Sequence, residues 1–342
     1  MLPINPKYHK KTIYNLSFEN SELSLVDNAT YLAEQINSKG NNDNTIEDRV
    51  KKGRSSTAEI IALTELITSR HSKIFIPSLL LLFKSVTLSK LLLNCQTWTR
   101  LREKDINKLT ICINSSLKRF MKVPISTPNC SLYLELAIIP INYEIMYRKL
   151  VFLHKILTNP SPNIITTIYN QQASSKYPNW CNEAIKIRTF LKLQQSDHEI
   201  AELSKNQWKN TIRKVIKKES FDFLISEKQK KKKLNNISFT FEHWKCADYI
   251  SSFNAEQVEI IFRIRTFTLQ VTGNKCSSSQ LATKCLFCKI ELDTQPHFFT
   301  CSKFNEKLSM QKFFDNDMDA ILVDKVADRL IKRKELQLSL NN

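Results

Sequence analysis

Glycine is nearly missing from this chain, at three residues in 342. That scarcity argues against a doubly wound nucleotide-binding fold, whose phosphate turns need glycine at fixed spacing. It favours helices. The sequence contains no P-loop, no HExxH run and no Ser/His/Asp pattern of the kind that supports nucleophilic catalysis. The opening residues, Met1-Leu-Pro-Ile-Asn-Pro-Lys, lack the apolar stretch of a secretory signal. Cysteines are odd in number, nine, and scattered. Both features point to an intracellular, reducing compartment, nucleus or cytoplasm, where thiols bind metal and do not pair. A long uncharged apolar span is missing too. Residues 74 to 95 include Leu79-Leu80-Leu81-Leu82, but Pro77, Lys84 and Lys90 interrupt the run. It reads as a buried helix, and no membrane partner is expected.

What is present is a folding composition, 42% hydrophobic and 25% charged, with length for two or three units. Lys and Arg number 51 against 33 Asp and Glu, a net charge of +18. Such an excess calls for a polyanion or an anionic surface as partner.

The most informative stretch is Cys285-Leu-Phe-Cys288 followed by His297-Phe-Phe-Thr-Cys301, a C-x2-C-x8-H-x3-C pattern. Zn²⁺ in structural sites takes a closed shell of Cys thiolate and His nitrogen. The two-residue gap lets one turn aim Cys285 and Cys288 at a single metal. The three-residue gap sets His297 and Cys301 on one helical face. Four protein ligands leave no place for an activated water, so the expected ion is a structural Zn²⁺ and not a hydrolytic one. Phe287, Phe298 and Phe299 beside the ligands suit an apolar lid or base stacking. Ordinary reduced cysteines in a core are the alternative. Cys276 reads as a bystander.

A second signal runs from 205 to 234, with eleven Lys or Arg against three acids. Trp208, Ile212, Val215 and Ile216 can anchor one helical face, leaving Lys209, Arg213, Lys214, Lys217 and Lys218 to solvent. Lys230, Lys231, Lys232 and Lys233 follow without interruption. Such a stripe neutralises phosphates without reading sequence, and a nuclear-localisation role is equally compatible with the lysine run. A solvated helix face with a flexible linker is the bland alternative.

Along the rest of the chain, residues 12 to 18, 23 to 26 and 30 to 32 predict short strands, the edge of a larger sheet. A helix is expected from Thr45, capped by Thr45 and Asp48, with Ile46, Val50, Ile60, Ile61 and Leu66 inward and Arg49, Lys51, Lys52 and Arg54 outward. The clearest amphipathic helix covers 101 to 121, where Ile106, Leu109, Ile113, Leu117 and Phe120 keep three- and four-residue spacing. Its basic end, Lys118, Arg119 and Lys122, suits a helix C-terminus and can meet phosphate. Two helices flank Pro140, at 130 to 138 and 141 to 157. Residues 158 to 182, rich in Asn, Pro, Ser and Gln, predict a linker before helices resume.

Several of these segments resemble one family. Ser126-Thr-Pro-Asn-Cys-Ser-Leu-Tyr-Leu-Glu-Leu-Ala-Ile-Ile-Pro-Ile141, then Tyr147-Arg148-Lys149-Leu150 and Phe152-Leu153-His154, resembles the region after the polymerase core of non-LTR (LINE-type) retrotransposon reverse transcriptases. Pro77-Ser-Leu-Leu-Leu-Leu with Gln96-Thr-Trp98 does the same, and Tyr31-Leu32-Ala33 with Ile36-Asn-Ser-Lys-Gly40 looks like the last hairpin of the palm. Arg263-Ile-Arg265-Thr-Phe-Thr-Leu with Cys285, Cys288, His297 and Cys301 is similar to the terminal zinc knuckle. Ala33 departs from the glycine usual in the family.

The resemblance implies a mainly α chain: a palm strand remnant over 1–40, a helical thumb and connector over 41–157, a linker over 158–182, a basic helical region over 183–260 and a zinc-knuckle region over 261–342. It implies RNA or DNA as partner, held during target-primed reverse transcription, with no small-molecule substrate. The family's chemistry needs two Mg²⁺ on an Asp-Asp hairpin, and no Asp-Asp pair occurs here. Asp315, Asp317 and Asp319 alternate beyond the knuckle and suit a solvated helix start. Nothing after Cys301 is long enough for an endonuclease. The chain by itself is therefore expected to bind nucleic acid and catalyse nothing, Mg²⁺ belonging to a full-length polymerase. A zinc-stapled protein-interaction module and a transposon relic without activity are the rival readings.

Overall fold

The structure is a computed structural model that describes residues 17–18, 21–22, 28–31, 34–37, 41–159, 164–269, 271 and 284–341. It is mainly helical. In chain order the strands are β1 (Ser17–Phe18), β2 (Ser21–Glu22), β3 (Asn28–Tyr31) and β4 (Glu34–Asn37), paired antiparallel as β1 with β2 and β3 with β4. Helices follow: α1 (Asp43–Ile67), α2 (Phe75–Leu82), α3 (Leu88–Leu91), α4 (Glu103–Phe120), α5 (Asn129–Glu135), α6 (Ile141–Leu157), α7 (Ile164–Ala173) and α8 (Trp180–Phe190). The chain continues with α9 (Asp197–Glu202), α10 (Lys205–Gln229), α11 (Tyr249–Ser252), α12 (Ala255–Arg265), α13 (Gln295–Thr300), α14 (Gln311–Phe314) and α15 (Ala320–Asn341). None of the described helices is long and apolar enough to cross a membrane. A π-helical stretch, Phe83–Thr87, joins α2 to α3 within the Leu-rich segment.

The strand predictions at 12–16 and 23–26, with Leu32, Ala33, Gly40 and Cys276, lie outside the described residues. Residues 158–182 differ from the linker expectation: α7 occupies Ile164–Ala173, and Tyr169 from it is buried against the core. The polar composition hid an amphipathic helix. α1 also departs from its prediction. It begins at Asp43, and the buried Thr45 hydroxyl donates to the Gln35 carbonyl at 2.8 Å instead of capping. Arg49 is buried, not exposed, because Glu34 of β4 accepts from it at 3.2 Å; the same carboxylate takes the Trp98 indole N–H at 2.7 Å. Leu66 is exposed.

Two compact units draw on interleaved segments, Met1–Thr57, Lys84–Ile113 and Ile139–Ser220 in one, Ala58–Phe83, Asn114–Ile138 and Phe221–Asn342 in the other. In the first, Trp208, Ile212 and Ile216 of α10 pack with Leu150, Leu153 and Ile156 of α6. The Trp208 indole donates to the Leu150 carbonyl at 2.8 Å, so its one polar group is satisfied inside the core. Gly53 on α1 is fixed by the same unit: a Cβ there would sit 2.8 Å from Leu91 Cγ, a side chain with no exposed surface.

In the second unit, Arg265 at the end of α12 is buried and donates to Glu135 of α5 at 2.7 Å. It also donates to the Phe314 carbonyl and to Asn316 Oδ1. An aromatic cluster of Phe221 and Trp244, 5.4 Å apart, lies in this unit as well.

With so few glycines, helices end on other residues. Lys122, Ala137, Lys192, Phe267 and Asn316 all take positive φ, between 47° and 60°, just after α4, α5, α8, α12 and α14. Each is followed by an N–H that reaches back to the fifth residue before it, as from Val123 to Lys118 O at 3.1 Å and from Leu193 to Arg188 O at 3.0 Å.

Candidate metal centre and basic surfaces

The local backbone builds the first half of the candidate metal centre. Lys284 and Leu292 form an antiparallel bridge, closing a tight loop around Cys285 and Cys288. The Cys285 N–H donates to Glu291 O at 2.7 Å, the Lys289 N–H donates to Cys285 O at 2.8 Å, and Lys289 turns the chain with φ 58°. The N–H groups of Glu291 and Ile290 point at Cys288 Sγ and pull its thiol down to about 6. Burial pushes the Cys301 thiol up to about 11.

α13 supplies the second half. Thr294 accepts from the His297 N–H at 3.3 Å and starts the helix, with Pro296 in its first turn. One turn later Cys301 ends it, so His297 and Cys301 share a face.

All four residues are buried, and their ligand atoms lie within 4.8 Å of one another. Cys285 Sγ and Cys301 Sγ are 3.9 Å apart, and Cys288 Sγ is 3.3 Å from His297 Nε2. A tetrahedral shell with Zn–S near 2.3 Å and Zn–N near 2.05 Å needs edges of about 3.8 and about 3.6 Å. The donor set fits a metal of that kind. His297 Nδ1, the other ring nitrogen, lies 3.0 Å from Glu291 Oε2 without making a hydrogen bond to it.

The aromatic neighbours differ in setting, Phe287 being half-buried. Phe298 and Phe299 are both buried, so they form the apolar lid and offer no stacking face to a base. Phe299 meets Phe313 edge-on at 5.7 Å, and Phe287 meets Phe304 at 4.7 Å. Two arginines of α15 fasten this loop. Arg329 donates to the Phe298 and Phe299 carbonyls at 3.1 Å and covers the Phe304 ring. Arg333, buried, pairs with buried Asp293, and Gln295 donates to Ile264 O at 2.8 Å. Arg329 and Arg333 carry a signal in the sequence, two arginines one helical turn apart on an amphipathic helix. Their partners cannot be read from it.

The basic residues fall into different settings. Lys118 is half-buried, its Nζ donates to Ile125 O at 2.6 Å, and burial lowers its pKa, so its charge already has an internal partner. Arg119 and Lys122 are exposed, and the Lys122 carbonyl accepts from Arg263 at 2.6 Å. On α10 the anchors Trp208, Ile212 and Ile216 are buried and Val215 partly so. Arg213, Lys214 and Lys218 are exposed, Lys209 and Lys217 half-buried. Lys230 pairs with Glu227 at 2.5 Å. Lys231, Lys232 and Lys233 stay exposed around a short 3-10 turn pinned by buried Leu234. Lys209 and Arg213 line a cleft with Arg148, Lys155 and Lys205. Arg148 and Lys155 were missed in the sequence because they lie on α6, far from the lysine-rich stretch. Asp315, Asp317 and Asp319 are exposed, and Asp319 Oδ1 accepts the Leu322 N–H at 2.7 Å, starting α15.

Comparison with protein-family models, with curated proteins and with solved structures finds no match to this chain.

Proposed function

We propose that this chain is a nucleic-acid-binding, carboxy-terminal region of a reverse transcriptase of the non-LTR kind, stapled by a structural Zn²⁺ on Cys285, Cys288, His297 and Cys301. The observation that carries the reading is the buried Cys3His cluster, whose ligand atoms lie within 4.8 Å, at the position in the chain where the resemblance puts a zinc knuckle. A second observation supports it. Glu135 lies in the Leu-Tyr-Leu-Glu-Leu run and Arg265 in the Arg-Ile-Arg run, two segments on which the resemblance rests, and they meet at 2.7 Å in one buried ion pair. The metal would hold the loop of 285–301 while its lid side chains stay inward. The exposed cations of α10 and of the 231–233 turn would meet phosphate.

The chain is proposed to grip RNA or DNA without polymerising it. Purified protein should hold one zinc per chain by elemental analysis. It should also bind RNA with an affinity that falls steeply between low and physiological salt. Template-dependent nucleotide incorporation with Mg²⁺ or Mn²⁺ would overturn the non-catalytic part. Flat, weak RNA binding at all salt concentrations would favour the protein-interaction reading.

A further inference from the structure

The first unit contains a cleft of about 690 Å³ between α6 and the start of α10. Three turns of α10 present Lys205, Lys209 and Arg213 at four-residue spacing, which puts them on one face. From α6 come Arg148 and Lys155. The cleft thus gathers five cations against a single carboxylate, Glu144, and Arg148 already engages that carboxylate at 3.0 Å. Lys155, Lys205 and Lys209 make no ion pair with any described residue. Three ammonium groups facing one concavity repel each other, and an anion in the cleft would relieve that repulsion.

The rest of the lining selects among anions. Tyr147, Val151 and Phe152 give an apolar wall. Arg213 lies 5.5 Å over the Tyr147 ring, and its Nη2 donates to the Tyr147 hydroxyl at 3.3 Å, so the guanidinium and the ring are held as one surface. His154 Nε2 is 2.8 Å from the Leu203 carbonyl, which leaves that nitrogen no freedom to act as a base on a ligand.

We propose that this cleft holds one or two unpaired nucleotides of an RNA or DNA strand, with phosphates on Lys155, Lys205, Lys209 and Arg213 and a base against Tyr147 and Phe152. The volume is that of a small-ligand pocket and takes a splayed nucleotide. Bases stacked in a duplex cannot enter it. Alternating cations and aromatic faces are the means by which proteins hold single strands. The inference rests on the nucleic-acid reading above and narrows it to the single-stranded form and to one cleft.

The test uses the full zinc-loaded chain and fluorescence anisotropy with a short labelled oligouridine and with a blunt RNA duplex. Lys155→Gln with Lys209→Gln should weaken oligouridine binding about tenfold or more and flatten the log–log salt slope by about 1.4, two single-strand phosphate contacts. Duplex binding should change far less. Tyr147→Leu should weaken oligouridine binding without altering the slope, and it checks the site independently should the double variant melt early. Lys176→Gln with Lys186→Gln, exposed positions outside the cleft, should leave oligouridine binding within about twofold of the parent. If the parent binds oligouridine and the cleft variants bind it equally well, the cleft is wrong while the nucleic-acid reading stands. Equal losses of duplex and single strand overturn the single-strand assignment. A parent that binds neither overturns both readings.

Discussion

The core around Trp208 and the loop around Cys285 are held by different physics. In the first, long helices α6 and α10 bury contiguous apolar side chains, and the one polar atom of Trp208 finds a backbone carbonyl. In the second, between 284 and 314, the regular elements are a single bridge, the six residues of α13 and the four of α14. Elements that short cannot bury enough surface to define themselves. Their place is taken by four clustered Cys and His side chains, edge-on phenylalanines, two arginines that reach backbone carbonyls and a third paired with Asp293. A region low in secondary structure can be well determined, provided directional bonds replace area.

The contrast is sharpest under metal removal. Binding of structural zinc amounts to an apparent free energy on the order of 10 kcal/mol, and in such sites it is folding free energy. Cys288→Ser, or chelation of the parent, should strip the metal and raise amide hydrogen exchange across 285–301 by orders of magnitude. Exchange in α6 and in α10 up to Ser220 should stay near parental values. Unchanged zinc content in Cys288→Ser would remove the ligand assignment, and equal loosening of both regions would erase the distinction drawn between them.

Two substitutions of comparable size probe each region's own support. Trp208→Ala should cost about 3–5 kcal/mol in denaturant unfolding, chiefly from lost packing, with zinc content unchanged. Glu135→Leu leaves the buried Arg265 charge without its carboxylate and should cost about 3–5 kcal/mol. Glu135→Leu with Arg265→Met should recover most of that loss, because replacing both ions by apolar groups is often neutral. A double variant as unstable as Glu135→Leu alone would show that the carbonyls of Phe313 and Phe314, not the ion pair, fix Arg265.

The smallest effect concerns the helix ends. Lys192 is exposed and takes φ 54° after α8. Lys192→Gly removes the Cβ strain of a left-handed residue and should stabilise the chain by about 1 kcal/mol, read as a raised thermal midpoint. No gain would mean that the looser unfolded state of glycine cancels the relief.

How far the sequence reached follows from the range of each interaction. Helix α6 lies where Pro140 puts its start, α5 ends at Glu135, short of the expected 138, and the buried faces of α4 and α10 carry most of the apolar residues singled out by spacing. These are local consequences of a repeat of 3.6 residues. The clustering of Cys285, Cys288, His297 and Cys301 was legible for the same reason, since short loops alone bring them together. α7 was hidden because its polar residues resemble those of a connector, and only Tyr169 packing onto the core shows its inner face.

By itself, then, the sequence determined a helical, basic chain with one local cluster of soft ligands, all properties that neighbours along the chain decide. The tertiary structure alone decided that Arg49, Arg265 and Arg333 are internal, that Phe298 and Phe299 face a core, and that Lys155 joins Lys205 and Lys209 in one cleft. The reason is physical. Whether a charge or a ring is buried depends on what opposes it, and Glu34, Glu135, Asp293 and α6 come from separate parts of the chain.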